Sequence, residues 1–359
     1  MKQRELVVYH AAFVPSTVCA EPTLVAATST GELHVFQLGN VLRPEYWEQV
    51  DVAQEPRQPT AAYSFQAHSS QIYSLAFAGD DADPLLVSGG DQDFRVWRWK
   101  DIAERMRHES TGAIEPVYQA HLQRKAMGFR GALLPFSEIN SIATTRHDPS
   151  RVFLAGGDGL AHEWDLASLQ CARQYEGHRD YLHAVQYVSH SKELITGSED
   201  GTVAIWDARS AKRTDELRPS HGSSGLWVGS VTTDSSETWL ACGGGGISTS
   251  KAASTGGFVS MWHLPSRVPV HFTATGLADV HDLAFHTTSL LTVGNEPQLK
   301  TWNRSSGSLL SAARCSVPSA QFCVVDAATD LIALGGHSNV VDVCMMPGVV
   351  SFSLQLGGL

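Results

Sequence analysis

The chain has 359 residues, of which 18% are charged, and its formal net charge is −11. Phosphate contacts need clustered Lys and Arg, so this balance argues against direct, non-specific binding to nucleic acid. The apolar stretches are interrupted and of strand length, and no long apolar region follows Met1, which predicts neither a transmembrane helix nor a signal peptide.

A short pattern recurs along the chain and ends each time at an aromatic residue. Where no insertion intervenes, the interval is about 40 residues, the length of one four-stranded propeller blade. The closing residues, with Val343 in the place of the seventh aromatic, are Phe36, Trp97, Trp164, Trp206, Trp262 and Trp302. The sequence therefore predicts an all-β fold, a seven-bladed β-propeller that forms a single domain.

The repeats also predict where the blades begin and end. We expect blades at about 5–65, 66–135, 136–176, 177–217, 218–275, 276–314 and 315–359, with insertions at about 39–60, 98–130 and 244–257. Residues 6–10 should form the innermost strand of the first blade, and residues 349–354 the outer strand of the last. We therefore predict that the ring closes by the first and last blades packing side by side, with no strand exchanged.

Four polar and aromatic side chains of the fourth repeat fit together as a set. They are His178, Thr196, Asp200 and Trp206. In a blade, the carboxylate can accept from the imidazole, the imidazole can accept from the hydroxyl, and the Trp N–H lies within reach. Such a chain satisfies polar groups inside an apolar sheet, so we interpret these residues as structural and not as catalytic.

Other repeats carry weaker versions of this set. The second has the same residue types but a turn one residue shorter between hydroxyl and Trp: His68, Ser88, Asp91 and Trp97. The third has Ala155 where the hydroxyl belongs, and the seventh lacks the Trp. Blade four alone should therefore have the full set and be the best ordered.

Residues 98–130 form a locally basic insertion in this acidic chain. Seven bases there outnumber four acids, and the bases are Arg98, Lys100, Arg105, Arg107, Arg124, Lys125 and Arg130. Residues 100–107 suit a short amphipathic helical turn, since Ile102 and Met106 are four apart. Two interpretations stay open: a solvated surface loop, and a docking element for an acidic partner or an RNA-bearing assembly. In both, the segment should project from the ring and not complete a blade.

No pattern indicates chemistry. Residues 243–251 are rich in Gly but lack the GxxxxGK[ST] order and a following helix, so we predict a flexible hairpin loop in blade five. The histidines show no metal-ligand spacing, and no nucleophile motif occurs. The cysteines form no CxxC pair, which favours small buried side chains in a reducing compartment. We predict no cofactor, no metal site and no enzymatic activity.

Several stretches are more specific than the general repeat. Among them are Phe-Gln-Ala-His at 65–68, Ile-Tyr-Ser at 72–74, Gly-His-Arg-Asp-Tyr-Leu-His at 177–183 and Leu-Trp-Val-Gly at 226–229. In this order and spacing the chain resembles the family of the sixth, WD-repeat subunit of the THO complex. The likeness runs from about residue 60 to the C-terminus, and the first sixty residues, the basic insertion and the glycine-rich loop are individual to this chain. The Gly-His-x-Asp-Tyr-Leu-His and Trp-x-Gly motifs discriminate best.

The resemblance implies a non-catalytic WD-repeat scaffold subunit of a THO-type nuclear complex, which couples transcription to messenger-RNA processing and export. The implied partners are other THO subunits, especially coiled-coil ones, with RNA contacted only indirectly and no membrane. The implied location is the nucleus, and the cytoplasm stays open as a second one. A propeller suits a scaffold because it is rigid, has no long open edges and offers two loop-rich faces and a rim.

The end of the fourth repeat supports a second function. Trp206, Asp207 and Arg209 form a WDxR box. It resembles the motif by which WD-repeat substrate receptors dock on the adaptor of cullin-4-type ubiquitin ligases, where the Arg pairs with the adaptor. The same pattern arises wherever a blade ends in Asp followed by a basic residue, so a plain surface Arg is the competing interpretation. The ligase and THO functions do not exclude each other.

Overall fold

The computed structural model describes residues 6–48, 58–108, 113–123, 136–145, 147–219, 225–246, 256–276 and 278–357. These residues form seven antiparallel sheets in the arrangement of a seven-bladed β-propeller. Six sheets have four strands each, and the second has five. None of the helices in the described ranges is long and apolar enough to cross a membrane.

The first two blades each contain a short helix. The first blade consists of β1 (Val8–Phe13), β2 (Thr23–Thr28), β3 (Glu32–Gln37), α1 (Pro44–Glu48) and β4 (Tyr63–Gln66). The second consists of β5 (Ile72–Ala78), β6 (Leu85–Gly90), β7 (Asp93–Arg98), α2 (Trp99–Arg107), β8 (Tyr118–Gln123) and β9 (Phe136–Ser137).

The other five blades consist of strands alone. The third has β10 (Ile139–Thr144), β11 (Arg151–Gly156), β12 (Ala161–Asp165) and β13 (Gln170–Tyr175), and the fourth has β14 (Leu182–Val188), β15 (Glu193–Ser198), β16 (Val203–Asp207) and β17 (Lys212–Leu217). The fifth has β18 (Leu226–Thr233), β19 (Trp239–Gly246), β20 (Gly257–His263) and β21 (Val268–Gly276), and the sixth has β22 (Val280–His286), β23 (Ser289–Gly294), β24 (Gln298–Asn303) and β25 (Leu309–Arg314). The seventh has β26 (Ala320–Val325), β27 (Ile332–Gly336), β28 (Val340–Cys344) and β29 (Phe352–Gln355).

Strand position within a blade explains the burial pattern. The second strands are covered on both faces by neighbouring blades, and β2 is buried along its whole length. Such strands are short, continuous apolar runs in the sequence. The outermost strands face solvent, and in β13 only Tyr175 is buried. Each closing Trp packs in the core between these two kinds of strand, with Trp97 and Trp206 both about 1% exposed.

The ring closes without strand exchange, which confirms the prediction from the sequence. β1 pairs with β2 in the first sheet, and β29 pairs with β28 in the last. Across the seam, Val8 and Phe36 pack in one apolar cluster with Phe322 and its neighbours. Thr60 and Gln355 form an isolated parallel bridge there. The two end blades are therefore joined mainly by side-chain packing.

The expectation that residues 98–130 complete no blade is wrong. β8 (Tyr118–Gln123) pairs antiparallel with β7 and supplies the fourth strand of the second blade. The helix α2 buries Trp99 and Ile102 in the core of the first two blades. The physical reason is that β7 needs a ladder partner and that the apolar face of α2 needs a core. Residues 109–112 and 124–135 lie outside the described part of the chain.

The expectation of a flexible glycine loop is also wrong at its start. Gly243–Gly246 belong to β19, and only Gly246 among them is not fully buried. Close packing explains why glycine is needed. A Cβ at Gly244 would lie 1.9 Å from the Trp227 carbonyl oxygen, and one at Gly245 would lie 2.1 Å from Asp279 Oδ1. Residues 247–255 lie outside the described residues.

Candidate functional site

The structure joins the four predicted side chains of blade four by hydrogen bonds. His178 Nδ1 lies 2.9 Å from Asp200 Oδ2, and His178 Nε2 lies 2.8 Å from Thr196 Oγ1. Trp206 Nε1 donates to the same Thr196 oxygen at 2.9 Å. The network is satisfied if Nδ1–H donates to the carboxylate and the Thr196 hydroxyl donates to Nε2. This hydrogen-bond network holds the loop before the inner strand, two strands and the turn of blade four in one geometry.

Asp200 is the charged group at one end of this hydrogen-bond network. It also accepts from the backbone N–H of Arg179 at 3.0 Å and from the Thr202 hydroxyl at 2.6 Å. Burial alone would raise the pKa of Asp200, but the hydrogen bond from His178, with those other donors, outweighs it and lowers the pKa. Both carboxylate oxygens are therefore bonded to the protein, and these bonds order the turn.

Blade two has a complete set of its own, built with a different carboxylate. His68 lies 2.8 Å from Asp93 and 2.7 Å from Ser88, and Trp97 donates to Ser88 at 2.9 Å. The assignment of Asp91 to this set is therefore wrong, as is the expectation that blade four alone is complete. Because the turn is one residue shorter, the carboxylate comes from the first residue of β7.

Blade three lacks the hydroxyl, but the position differs from the predicted one. In blade four, Trp206 pairs with Leu194, and the hydroxyl residue Thr196 lies two positions after Leu194. In blade three, Trp164 pairs with Val152. The equivalent position, two after Val152, is Leu154, so the prediction of Ala155 is wrong. The consequence is visible at the indole, because Trp164 Nε1 is buried without a hydrogen-bond partner.

The WDxR box divides between core and surface. Trp206 is buried inside the blade, so only the two charged residues reach solvent. Asp207 Oδ1 accepts from the backbone N–H and from Nε of Arg209, each at 3.1 Å. This turn follows β16 and leaves the Arg209 side chain 77% exposed. The box therefore presents one guanidinium group, that of Arg209, which is oriented by Asp207 and accessible to a partner.

The basic insertion forms no single patch among the described residues. Arg98 and Lys100 both pair with Asp83, at 3.4 and 3.1 Å. Arg105 and Arg107 donate to the carbonyls of Ala113 and Ala103. The remaining predicted bases lie outside the described residues: Arg124, Lys125 and Arg130.

One functional-looking group was missed from the sequence. Asp282 is partly buried in the inner strand of blade six, where it accepts from Ser230 Oγ at 2.7 Å and from the Cys323 N–H at 2.9 Å. Burial raises its pKa to about 6, against the opposing hydrogen bonds. A lone acid within the apolar run of β22 is the sequence signal. Across the described ranges, no three His, Cys, Asp or Glu side chains are grouped as a metal site requires.

Seven antiparallel blades, two of them held by a complete His–Asp–hydroxyl–Trp chain, define the class of WD-repeat β-propellers. The family model described as WD domain, G-beta repeat matches residues 60–98 and 169–207, which include the closing strands of blades two and four. A protein of Arabidopsis thaliana named THO complex subunit 6 is 32% identical over 350 residues, which cover 96% of this chain and 91% of that protein. The chain belongs to the THO complex subunit 6 family.

Other relatives agree with this assignment. The human protein named THO complex subunit 6 is 28% identical over 348 residues, 92% of this chain and 89% of its own. A guanine nucleotide-binding protein subunit beta of Nicotiana tabacum is 25% identical over 157 residues, 43% of this chain and 36% of its own. Since the Arabidopsis alignment covers 96% of the chain, it includes most of the first sixty residues, so the expectation that these are individual to this chain is wrong.

Proposed function

We propose that this chain is a non-catalytic WD-repeat scaffold subunit of a THO-type nuclear complex that couples transcription to messenger-RNA processing and export. The observation that carries the proposal is the 32% identity, over 96% of the chain, with a protein named THO complex subunit 6. Its partners are other THO subunits, especially coiled-coil ones.

Three observations support a scaffold. The hydroxyl groups of Ser88 and Thr196 are buried and bonded to both His and Trp, which favours a structural role for these sets in blades two and four. The net charge of −11 disfavours phosphate contacts, so RNA is reached through partner subunits. A rigid ring that exposes two faces and a rim gives several partners separate surfaces.

Affinity purification of the tagged full chain from nuclear extract, with mass spectrometry, tests the proposal. We expect other THO subunits to copurify in constant proportion, and to stay bound after RNase treatment because RNA contact is indirect. Purification without any THO subunit contradicts the scaffold role. Loss of the subunits on RNase treatment contradicts indirect RNA contact.

The WDxR box favours a second candidate, a substrate receptor of a cullin-4-type ubiquitin ligase. Its supporting observation is the exposed guanidinium of Arg209, fixed by Asp207 at the end of blade four. The same purification tests it, because recovery of the cullin adaptor identifies a receptor. The two outcomes are independent, since the adaptor and the THO subunits are different proteins.

A further inference from the structure

Each inner strand has a one-residue bulge near its start. The register of the strand pairs shifts at the bulged residue, and a bulge re-aims the side chain. Six of these residues have side chains that line one central cavity: Tyr9, Tyr73, Asn140, His183, His281 and Gln321. The seventh is Gly229. The cavity has a volume of about 710 Å³. Since all inner strands start at the same end of the ring, the bulges form one rim, which we call the channel mouth.

An indole ring occupies the place that Gly229 leaves open. A Cβ at Gly229 would lie 2.5 Å from Trp227 Cζ3, so glycine is required for the ring to lie there. Trp227 meets His183 edge to face, with ring centroids 5.9 Å apart. Trp227 and Gly229 form the Trp-x-Gly motif, and His183 ends the Gly-His-x-Asp-Tyr-Leu-His motif. The two most discriminating motifs of the sequence therefore meet at the channel mouth.

The opposite side of the mouth is also aromatic. The rings of Tyr9 and Tyr73 lie 5.1 Å apart, edge to face. Their hydroxyl groups are fixed, because Tyr9 donates to Gln71 at 2.7 Å and Tyr73 donates to Asp91 at 2.6 Å. Both rings are only partly buried. The mouth thus presents oriented aromatic rings on two sides.

Carboxylates surround these rings. Asp91 lies at Tyr73, Glu199 lies 3.7 Å from His183, and Asp279 packs with Trp227 against Gly245. None of the described residues that line the cavity is Lys or Arg. The cavity lining itself contains one acid, Asp282, and three histidines, while Asp91, Glu199 and Asp279 lie just behind the lining residues. Carboxylates at a concave opening without Lys or Arg attract a cation.

We propose that the channel mouth binds a basic peptide segment of a partner protein, with a Lys or Arg side chain over Trp227 and among these carboxylates. A cation over an indole face is attracted by the ring quadrupole, and nearby carboxylates add to the attraction. A nucleic acid could stack on the same rings, but its phosphates would meet three carboxylates. The site is independent of the scaffold role, since it describes ligand chemistry and not which complex supplies the ligand.

Fluorescence anisotropy with the full chain tests this site. The probe is a short labelled peptide in which Arg alternates with Gly and Ser, and its matched controls replace Arg by Glu or replace the peptide by a single-stranded RNA. We expect binding of the Arg peptide alone, weakening as salt is raised because the Debye length shortens. Equal binding of the Glu peptide, or preferred binding of the RNA, overturns the proposal.

Variants locate the binding. Trp227→Ala should weaken the Arg peptide between about fivefold and thirtyfold, as expected for a cation–π contact of about 1–2 kcal/mol. Glu199→Gln and Asp279→Asn should each weaken it and reduce its salt dependence. Phe272→Ala, an aromatic exposed on β21, and Glu104→Gln, exposed on α2, are the controls and should bind as wild type.

Melting temperatures separate a lost site from a lost fold. If Trp227→Ala has a lowered melting temperature, the test depends on Glu199→Gln and Asp279→Asn, because each keeps the size of its side chain. Wild-type affinity in Glu199→Gln, Asp279→Asn and any folded Trp227 variant overturns the proposal. Equal weakening in the Phe272 and Glu104 controls overturns it too, since binding would then be diffuse.

Discussion

Asp282 accepts a hydrogen bond of 2.9 Å from the backbone N–H of Cys323, which lies on the next blade. Its other oxygen accepts from Ser230 on the preceding blade at 2.7 Å. One carboxylate therefore connects the inner strands of blades five, six and seven. Its position between the inner strands withdraws the carboxylate from water and raises its pKa to about 6, and this sets a pH dependence for the stability of the ring.

We predict that Asp282 makes the chain less stable as the pH rises from about 4 to about 6. In this window the folded state keeps the proton and the unfolded state has lost it, so stability falls with rising pH. The full effect of this shift is about 3 kcal/mol. Asp282→Asn cannot titrate and should lack this dependence.

Urea unfolding of wild type and Asp282→Asn at both ends of the window measures the effect. The advantage of wild type over the variant should be largest at the acidic end, and shrink toward neutral pH. Other titrating groups cancel in this difference. A difference that stays constant with pH would mean that Asp282 does not titrate as described.

His178→Ala and His68→Ala should both lower the melting temperature, because each leaves a carboxylate without its imidazole partner in a complete blade. The expected cost is on the order of 1–3 kcal/mol for each. His190→Ala is the matched control, since the His190 side chain is 82% exposed. If only His178→Ala were destabilising, the set in blade two would contribute nothing to stability.

Trp206→Phe should cost at least about 1 kcal/mol more than Trp164→Phe. Both changes remove an indole N–H from a closing Trp, but only Trp206 donates it, to Thr196 at 2.9 Å. The Trp164 N–H is buried without a partner, so its removal relieves an unpaired donor. Chemical denaturation of the two variants compares them directly. Equal losses of stability in the two variants would show that the smaller ring, and not the lost hydrogen bond, causes the destabilisation.

Leu122→Ala should destabilise the chain by about 2–5 kcal/mol, because the side chain is only 2% exposed in the core beneath β8. Gln123→Ala, on the same strand and exposed, should change the melting temperature little. Deletion of residues 108–124 would be tolerated if the insertion completed no blade, but it removes all of β8 and should therefore unfold blade two. A folded deletion variant would refute the role of β8.

Arg209→Ala should leave the melting temperature unchanged, because the side chain is 77% exposed. It should also leave THO copurification unchanged, and we expect no cullin adaptor with the wild type. Arg179→Ala, another exposed Arg at the opposite end of the blade, is the control. Recovery of an adaptor with wild type and Arg179→Ala, but not with Arg209→Ala, would reverse our order of the two functions.

The number of blades and their closure could be predicted because the signals are local and repeated. Each blade has an apolar second strand, six of the seven have a closing aromatic, and the spacing is about 40 residues where no insertion intervenes, as from Trp262 to Trp302. The outer strand β8 could not be predicted from the sequence, because only one of its six residues is buried and the others are partly or fully exposed. A strand that faces solvent has little hydrophobic pattern to reveal it.

The polar side chains were harder to assign than the strands. Asp91 and Asp93 are two residues apart, and a turn shorter by one residue decides which of them reaches His68. The channel mouth is assembled from one bulged residue per blade, so its members are a full repeat apart and share no motif. Only the closed ring brings Tyr73 and Trp227 to one opening.

The seam between the first and last blades has a mechanical consequence. It is joined by packing around Val8 and Phe322 and by the bridge between Thr60 and Gln355, while every blade is held by its own hydrogen-bond ladders. Tension applied between β1 and β29 would therefore open the ring at the seam before any sheet unravels. Force spectroscopy would record this opening as a separate first step, and a partner bound across both end blades would raise the force that it needs.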